Sequence, residues 1–131
     1  MEDLGLSTPQ DFFDEVDREF GFVFDAAALP DNAKCPFYCT PEEDGLSQPW
    51  ADPTWCNPPW VEAGRWVKKA VGEADRGVTS VLLLPVWEGM HWYRLCELYG
   101  EVRRVGRLSF DGVESPWDCV LVVFRGKKNS Q

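Results

Sequence analysis

Apolar residues recur every four positions near the start of the chain, where Phe12, Val16 and Phe20 share one helical face. Thr8-Pro9-Gln10-Asp11 precedes them. Thr suits an N-cap, Pro the first helical position, and an acid the first turn, so a helix is predicted to start here and to end at Gly21. Phe22-Val23-Phe24 then forms a short apolar run ending at Asp25, which predicts a buried strand with an acid at its carboxyl end. Residues 30–54 hold five prolines, and only Tyr38-Cys39-Thr40 predicts a strand among loops. Thr54-Trp55-Cys56 is the next apolar run and leads into Asn57-Pro58-Pro59-Trp60. Helical spacing returns from Val61 to about Asp75, with Trp66, Val67, Ala70, Val71 and Ala74 apolar and Gly77 just beyond. Val78 to Pro85 contains Val81-Leu82-Leu83-Leu84, the continuous apolar run of a strand buried on both faces. Glu88 to Tyr99 predicts a helix stopped by Gly100. Val102 to Val105 and Cys119 to Phe124 predict the last strands, with a loop holding Gly112 and Pro116 between them and a frayed tail from Gly126 on.

This order of helices and strands predicts an α/β fold. The 131 residues suit one domain, with residues 1–6 and 126–131 as frayed ends. Ligands in such sheets sit outside the carboxyl ends of the strands. Asp25 and Asn57 both fall at predicted strand ends, so one crevice can hold both.

Charge complicates the choice of partner. The formal charge is −9, which argues against a simple nucleic-acid binder. The acid is uneven, however. Residues 1–62 hold 14 acids and 2 bases, whereas residues 63–131 hold 8 acids and 11 bases. Arg65, Lys68, Lys69, Arg103, Arg104 and Arg107 fall in the second part and are candidates for a modest phosphate-facing surface, with weak, strongly salt-sensitive DNA binding expected.

No apolar run approaches the ~18–20 residues of a membrane span. Met1-Glu2-Asp3 lacks the basic start of a signal peptide, and the five cysteines are odd in number. Reduced thiols in a cytoplasm are therefore expected. Cys35-x-x-x-Cys39 with distant His91 is a weak zinc pattern, since no second close pair exists. No metal is expected, and the cysteines read as small core residues.

Asn57-Pro58-Pro59-Trp60 is the stretch that carries chemistry. Two prolines fix two successive φ angles and remove two N–H donors, leaving a rigid backbone rich in acceptors. Asn57 adds a side-chain carbonyl, and Trp60 a flat face that can stack on a planar base. An exocyclic amino group donating to Asn57 and to the Pro58 carbonyl keeps its lone pair free to attack. The plainer alternative is a turn with Trp60 in the core.

The tetrapeptide resembles the (Asp/Asn/Ser)-Pro-Pro-(Tyr/Phe/Trp) motif of amino-group methyltransferases. Together with Thr8-Pro9, the strand ending at Asp25, Asp44-Gly45-Leu46, Leu82-Leu83-Leu84-Pro85 and Gly106-Arg107-Leu108-Ser109-Phe110, it looks like the small phage-type (Dam-like) DNA N6-adenine methyltransferases, from about residue 7 to residue 125. The resemblance implies a compact Rossmann-like fold, a mostly parallel sheet with an antiparallel last strand, S-adenosylmethionine as methyl donor and adenine-containing DNA as substrate. It implies a phage- or prophage-encoded protein acting in a bacterial cytoplasm. Asn57, Pro58, Pro59 and Trp60 resemble the catalytic motif. Thr8 and Pro9 resemble the motif beside the cofactor's methionine end. Asp25, Ala26 and Ala27 resemble the first strand end near its amino group, and Asp44 the acid near its adenine ring. Arg107 is a candidate phosphate contact. The usual glycine-rich turn after the first strand is replaced by Ala26-Ala27-Ala28, and Glu42 and Glu43 are the candidates for the ribose-binding acid.

Each role has a plainer reading beside it: a helix cap for Thr8, a local cap for Asp25, a turn acid for Asp44, and a solvated or ion-paired side chain for Arg107. Two other function classes stand beside the enzyme. One is a degenerate member that binds S-adenosylmethionine without turnover. The other is an acidic protein that mimics DNA or binds a basic partner. The tetrapeptide alone also leaves cytosine N4 and RNA open as acceptors.

Overall fold

In the computed structural model, which describes residues 7–128, six strands form one sheet. They are β1 (Phe24–Asp25), β2 (Phe37–Tyr38), β3 (Thr54–Cys56), β4 (Ser80–Pro85), β5 (Glu101–Gly106) and, last in the chain, β8 (Cys119–Phe124), in the spatial order β2-β1-β3-β4-β8-β5. The first four pair in parallel, and β8 is antiparallel to both of its neighbours. The expected α/β class and the mostly parallel sheet with a reversed last strand are both present.

Side chains alternate across the sheet because successive strand residues point to opposite faces. Leu82, Leu84, Val120 and Val122 meet α2 (Ala63–Asp75) and α3 (His91–Tyr99) through Trp66, Val67, Ala70, Trp92 and Cys96. Val81, Leu83, Leu121 and Val123 face the other way, toward α1 (Gln10–Phe20) through Phe13 and Val16. Every residue of β4 and β8 is buried. A fully buried Leu or Val side chain contributes about 1.5–3 kcal/mol, so these two strands dominate the core.

The buried face of α1 is rotated from the expected one. Phe13 and Val16 are its buried residues, whereas Phe12 and Phe20 are only partly covered. Pro9 rather than Thr8 occupies the cap position and its carbonyl accepts from the Phe13 N–H, so the Thr8 side chain does not cap this helix. Gly21 ends α1 in the left-handed region at φ 68°, as its sequence position predicts. The helix expected from Val61 starts as a 3-10 turn, Trp60–Glu62, before α2, and α3 starts three residues later than expected.

The loop expected between the last strands contains a hairpin, β6 (Ser109–Phe110) and β7 (Val113–Glu114), turning at Asp111 and Gly112, both with positive φ. The tail expected to fray from Gly126 is docked where it is described. Lys127 N–H donates to the Ala74 carbonyl, and Gly126 packs so closely on Gly77 that a Cβ there would lie 2.3 Å from its oxygen. The expected frayed ends at residues 1–6 and 129–131 lie outside the described residues.

Candidate active site

The strand order reverses between β1 and β3: β2 lies on one side of β1, and β3 and β4 lie on the other. A crevice at such a reversal, outside the carboxyl ends, is where open α/β sheets take their ligands. Asp25 closes β1 and Asn57 follows β3, so these two residues flank the reversal. The ladder continues past β1, with the Ala26 N–H donating to the Trp55 carbonyl at 3.0 Å. No helix lies between β1, β2 and β3; residues 26–36 and 39–53 are loops, and they wall the crevice.

Asn57 is half-buried, and its Nδ2 donates to the hydroxyl of Thr8 at 3.2 Å. That bond orients the amide and leaves its carbonyl oxygen as the acceptor. Thr8 is itself buried, at 3% exposure, because the chain enters α1 beside the end of β3. Pro58 is buried. Pro59 lines the crevice and its carbonyl accepts from Glu62 N–H, starting the 3-10 turn. Trp60 faces the opposite core cluster, 7% exposed. Its indole N–H donates to the Leu83 carbonyl at 3.2 Å, and its ring meets Phe110 and Trp87 edge to face at 5.5 and 6.4 Å. The tetrapeptide therefore divides an open crevice from an aromatic cluster.

The crevice holds a cavity of about 500 Å³. Small-molecule sites usually span about 300–1,000 Å³. Ala26, Ala27, Ala28, Cys39, Leu46 and Trp66 give it an apolar wall, and Asp44, Glu62 and Arg65 supply its charges. The close approach that a glycine-rich turn would allow after β1 comes instead from the facing loop. Gly45 packs against Ala26 so tightly that a Cβ would lie 2.1 Å from the Ala26 oxygen. Trp50 anchors this loop, its indole N–H donating to the Gly45 carbonyl at 2.8 Å. Behind it, the buried Glu73 carboxylate accepts from Trp50 N–H at 3.4 Å and from Lys69 and Arg76 at 2.8 Å.

Asp25 is buried and is not on the cavity's lining. Burial pushes its carboxyl up to about 7, against partial relief from the Lys34 and Ala27 backbone N–H groups, which donate at 2.9 and 3.3 Å. Among the described residues, Asp44 lines the cavity with its backbone in the left-handed region at φ 58°. Glu42 and Glu43 do not line it; Glu43 accepts from the Thr40 N–H and hydroxyl. Glu62 is the second carboxylate on the lining. Its signal in the sequence was its place two residues after the tetrapeptide.

Arg107 is exposed and faces Asp118 at 3.8 Å. Five of the six candidate cations lie beside an acid, and Lys68 is exposed. Lys69 is turned to the buried Glu73, Arg103 to Glu19 and Glu101, Arg104 to Glu88 and Arg65 to Glu62. The five cysteines are buried free thiols. Cys35 and Cys39 belong to opposite core clusters, so they do not converge as the start of a zinc site. Burial pushes the Cys35 and Cys96 thiols up to about 12, which keeps them protonated and unreactive. Among the described residues no helix is long and apolar enough to cross a membrane.

The DNA N-6-adenine-methyltransferase of Escherichia phage T1 is 28% identical over 90 residues, covering 66% of this chain. The match spans 38% of the phage protein's own length. The family model for DNA N-6-adenine-methyltransferase (Dam) matches residues 2–123, from before α1 into β8 and across both strand ends of the crevice. The chain belongs to the Dam family of DNA N-6-adenine-methyltransferases.

Proposed function

We propose that the protein transfers a methyl group from S-adenosylmethionine to the N6 amino group of adenine in DNA, on a compact Rossmann-like methyltransferase sheet. The observation that carries this reading is the place of Asn57, tied to Thr8 at the end of β3, in a tetrapeptide whose Pro59 lines the cavity at the strand-order reversal. The residues present fit the donor. The cavity has the size and apolar wall for an adenosine, and Asp44 and Glu62 place carboxylates beside it for a cationic or hydroxyl-bearing ligand. Asp25, at the end of β1 just before the lining residues Ala26, Ala27 and Ala28, is the acid we assign to the donor's ammonium group. When bound, S-adenosylmethionine supplies an electrophilic methyl group.

The chain's own residues do the rest. The Asn57 carbonyl and the Pro58 carbonyl accept the two amino hydrogens of adenine. The lone pair is then aimed along the axis of displacement rather than engaged in a hydrogen bond. Asn57 is neutral, so it orients the amine and takes no proton; the methylated amine is acidic enough to lose one to solvent. A base inside a duplex is unreachable and has to leave the stack. A base that stacks on Trp60 has to displace part of the ring cluster that encloses it, for which Phe110 and Trp87 are the neighbours.

The test is incubation with labelled S-adenosylmethionine and unmethylated DNA, followed by nucleoside analysis. N6-methyladenine is expected, with transfer abolished and donor binding retained in Asn57→Ala. N4-methylcytosine as the product, or unchanged transfer in Asn57→Ala, would overturn the assignment. Donor binding without any product would identify a member that has lost turnover.

A further inference from the structure

We infer that Trp117, backed by Trp87, is a stacking subsite for a nucleobase next to the target base; this rests on the methyltransferase reading. Trp117 is 45% exposed, unusual for the largest apolar side chain, and it is held rigidly in that position. The buried Ser115 hydroxyl accepts from the Trp117 N–H at 3.1 Å and donates to the Trp117 carbonyl at 2.9 Å. Ser115 N–H is fixed in turn to the Leu108 carbonyl, and the next residue, Asp118, accepts from Val86 N–H at 2.8 Å. The turn is thus stitched to the carboxyl end of β4, the same edge that carries Asn57.

The ring is continuous with the site. Trp117 meets Trp87 edge to face at 5.0 Å, and Trp87 meets Trp60 in the same way at 6.4 Å. An unbroken series of rings runs from the tetrapeptide to solvent. Val61, Met90 and Val113, all exposed, follow β3, β4 and the hairpin turn on this same edge. The arginines there each have a carboxylate nearby: Glu62 lies 3.9 Å from Arg65 and Asp118 lies 3.8 Å from Arg107. With a formal charge of −9 and these acids beside the arginines, phosphate attraction at this edge is weak. Base stacking is indifferent to that charge and to base identity, because every base has a π-face. The occupant this edge fits is therefore a nucleobase freed from its own stack.

The experiment uses the full chain and an adenine-containing oligonucleotide. Trp117→Ala should raise KM for the oligonucleotide roughly tenfold, the scale of one lost base–aromatic stack. Its kcat and donor affinity should stay within about twofold of the parent, and Trp117→Phe should recover most of the loss. An abasic nucleotide beside the target adenine should cost the parent protein the same factor and cost Trp117→Ala almost nothing further. Unchanged KM in Trp117→Ala, or fully additive losses with the abasic substrate, overturns this inference alone. A parent protein that binds and methylates no oligonucleotide overturns the methyltransferase reading with it.

Discussion

Thr8 and Asn57, distant in sequence, meet through one hydrogen bond in which the Asn57 Nδ2 donates to the Thr8 hydroxyl at 3.2 Å. An asparagine amide is symmetric in shape and not in chemistry. Turned over, it would offer N–H groups where the amine needs an acceptor. In the structure the N–H end is engaged by the Thr8 hydroxyl, which leaves the carbonyl end free to accept.

Thr8→Val keeps the shape of this contact and removes the oxygen. It should lower kcat about tenfold, the equivalent of one lost hydrogen bond of roughly 1–1.5 kcal/mol, with donor affinity nearly unchanged. Thr8→Ser should restore the rate. Loss of donor binding in step with kcat, or no rescue by serine, would assign Thr8 to packing alone.

Asp25 ties stability and ligand affinity to pH. Its carboxyl titrates at about 7 in the folded chain against an ordinary 3.8, because burial disfavours the charged form. A folded value raised above the unfolded one favours the fold at low pH, and that advantage is lost as pH rises through 7. The difference is about 4 kcal/mol on a scale of 1.36 kcal/mol per unit. Urea midpoints should therefore fall from pH 5 to pH 8, and Asp25→Asn should flatten that slope. A cationic ligand group acts in the opposite sense, since it favours the ionised carboxylate. S-adenosylmethionine should bind about tenfold tighter at pH 8 than at pH 6. Calorimetry across that range checks the sign.

Gly45→Ala places a methyl 2.1 Å from the Ala26 carbonyl oxygen, and a backbone atom cannot swing aside. The loop must lift from the end of β1. A cost of about 1–3 kcal/mol in stability is expected, the usual scale for overpacking, together with a large loss of donor affinity. Thermal melts and calorimetry on the same sample separate the two effects.

Glu73→Ala strips the carboxylate from Lys69 and Arg76 and removes the acceptor for Trp50 N–H. Removing one member of a buried ionic group typically costs about 3–5 kcal/mol, and the half-exposed Arg76 places this case near the lower end. Urea unfolding measures it directly. Glu73→Gln should recover part of the loss, because it keeps an acceptor at the same place.

Long-range order was legible where the chain is continuously apolar. The strand over Val81-Leu82-Leu83-Leu84 and the helix through Trp66, Val67, Ala70 and Ala74 announce themselves by period. The short elements did not. β6 and β7 are two residues each, too brief to show alternation, although Asp111-Gly112 is a strong hairpin turn signal. At the site, Asn57-Pro58-Pro59-Trp60 and Asp25 stood out because strand ends collect ligand chemistry. Thr8 read as a helix cap from its spacing and as a cofactor-motif residue from the resemblance; its bond to Asn57 was not legible, because local spacing says nothing about a partner 49 residues away. The pairing of the candidate cations was not legible for a related reason: counting Lys and Arg ignores the acids folded against them, as with Arg103 between Glu19 and Glu101.

The position of β8 has a consequence for the order of folding. This strand, last among the described residues, fills an interior slot between β4 and β5, with every residue buried. Until Phe124 has left the ribosome, β4 and β5 each expose an open edge of unsatisfied N–H and C=O groups. Folding therefore waits for the final strand and closes in one late step. A chain ending before Cys119 should remain protease-sensitive, and one extended through Phe124 should be resistant.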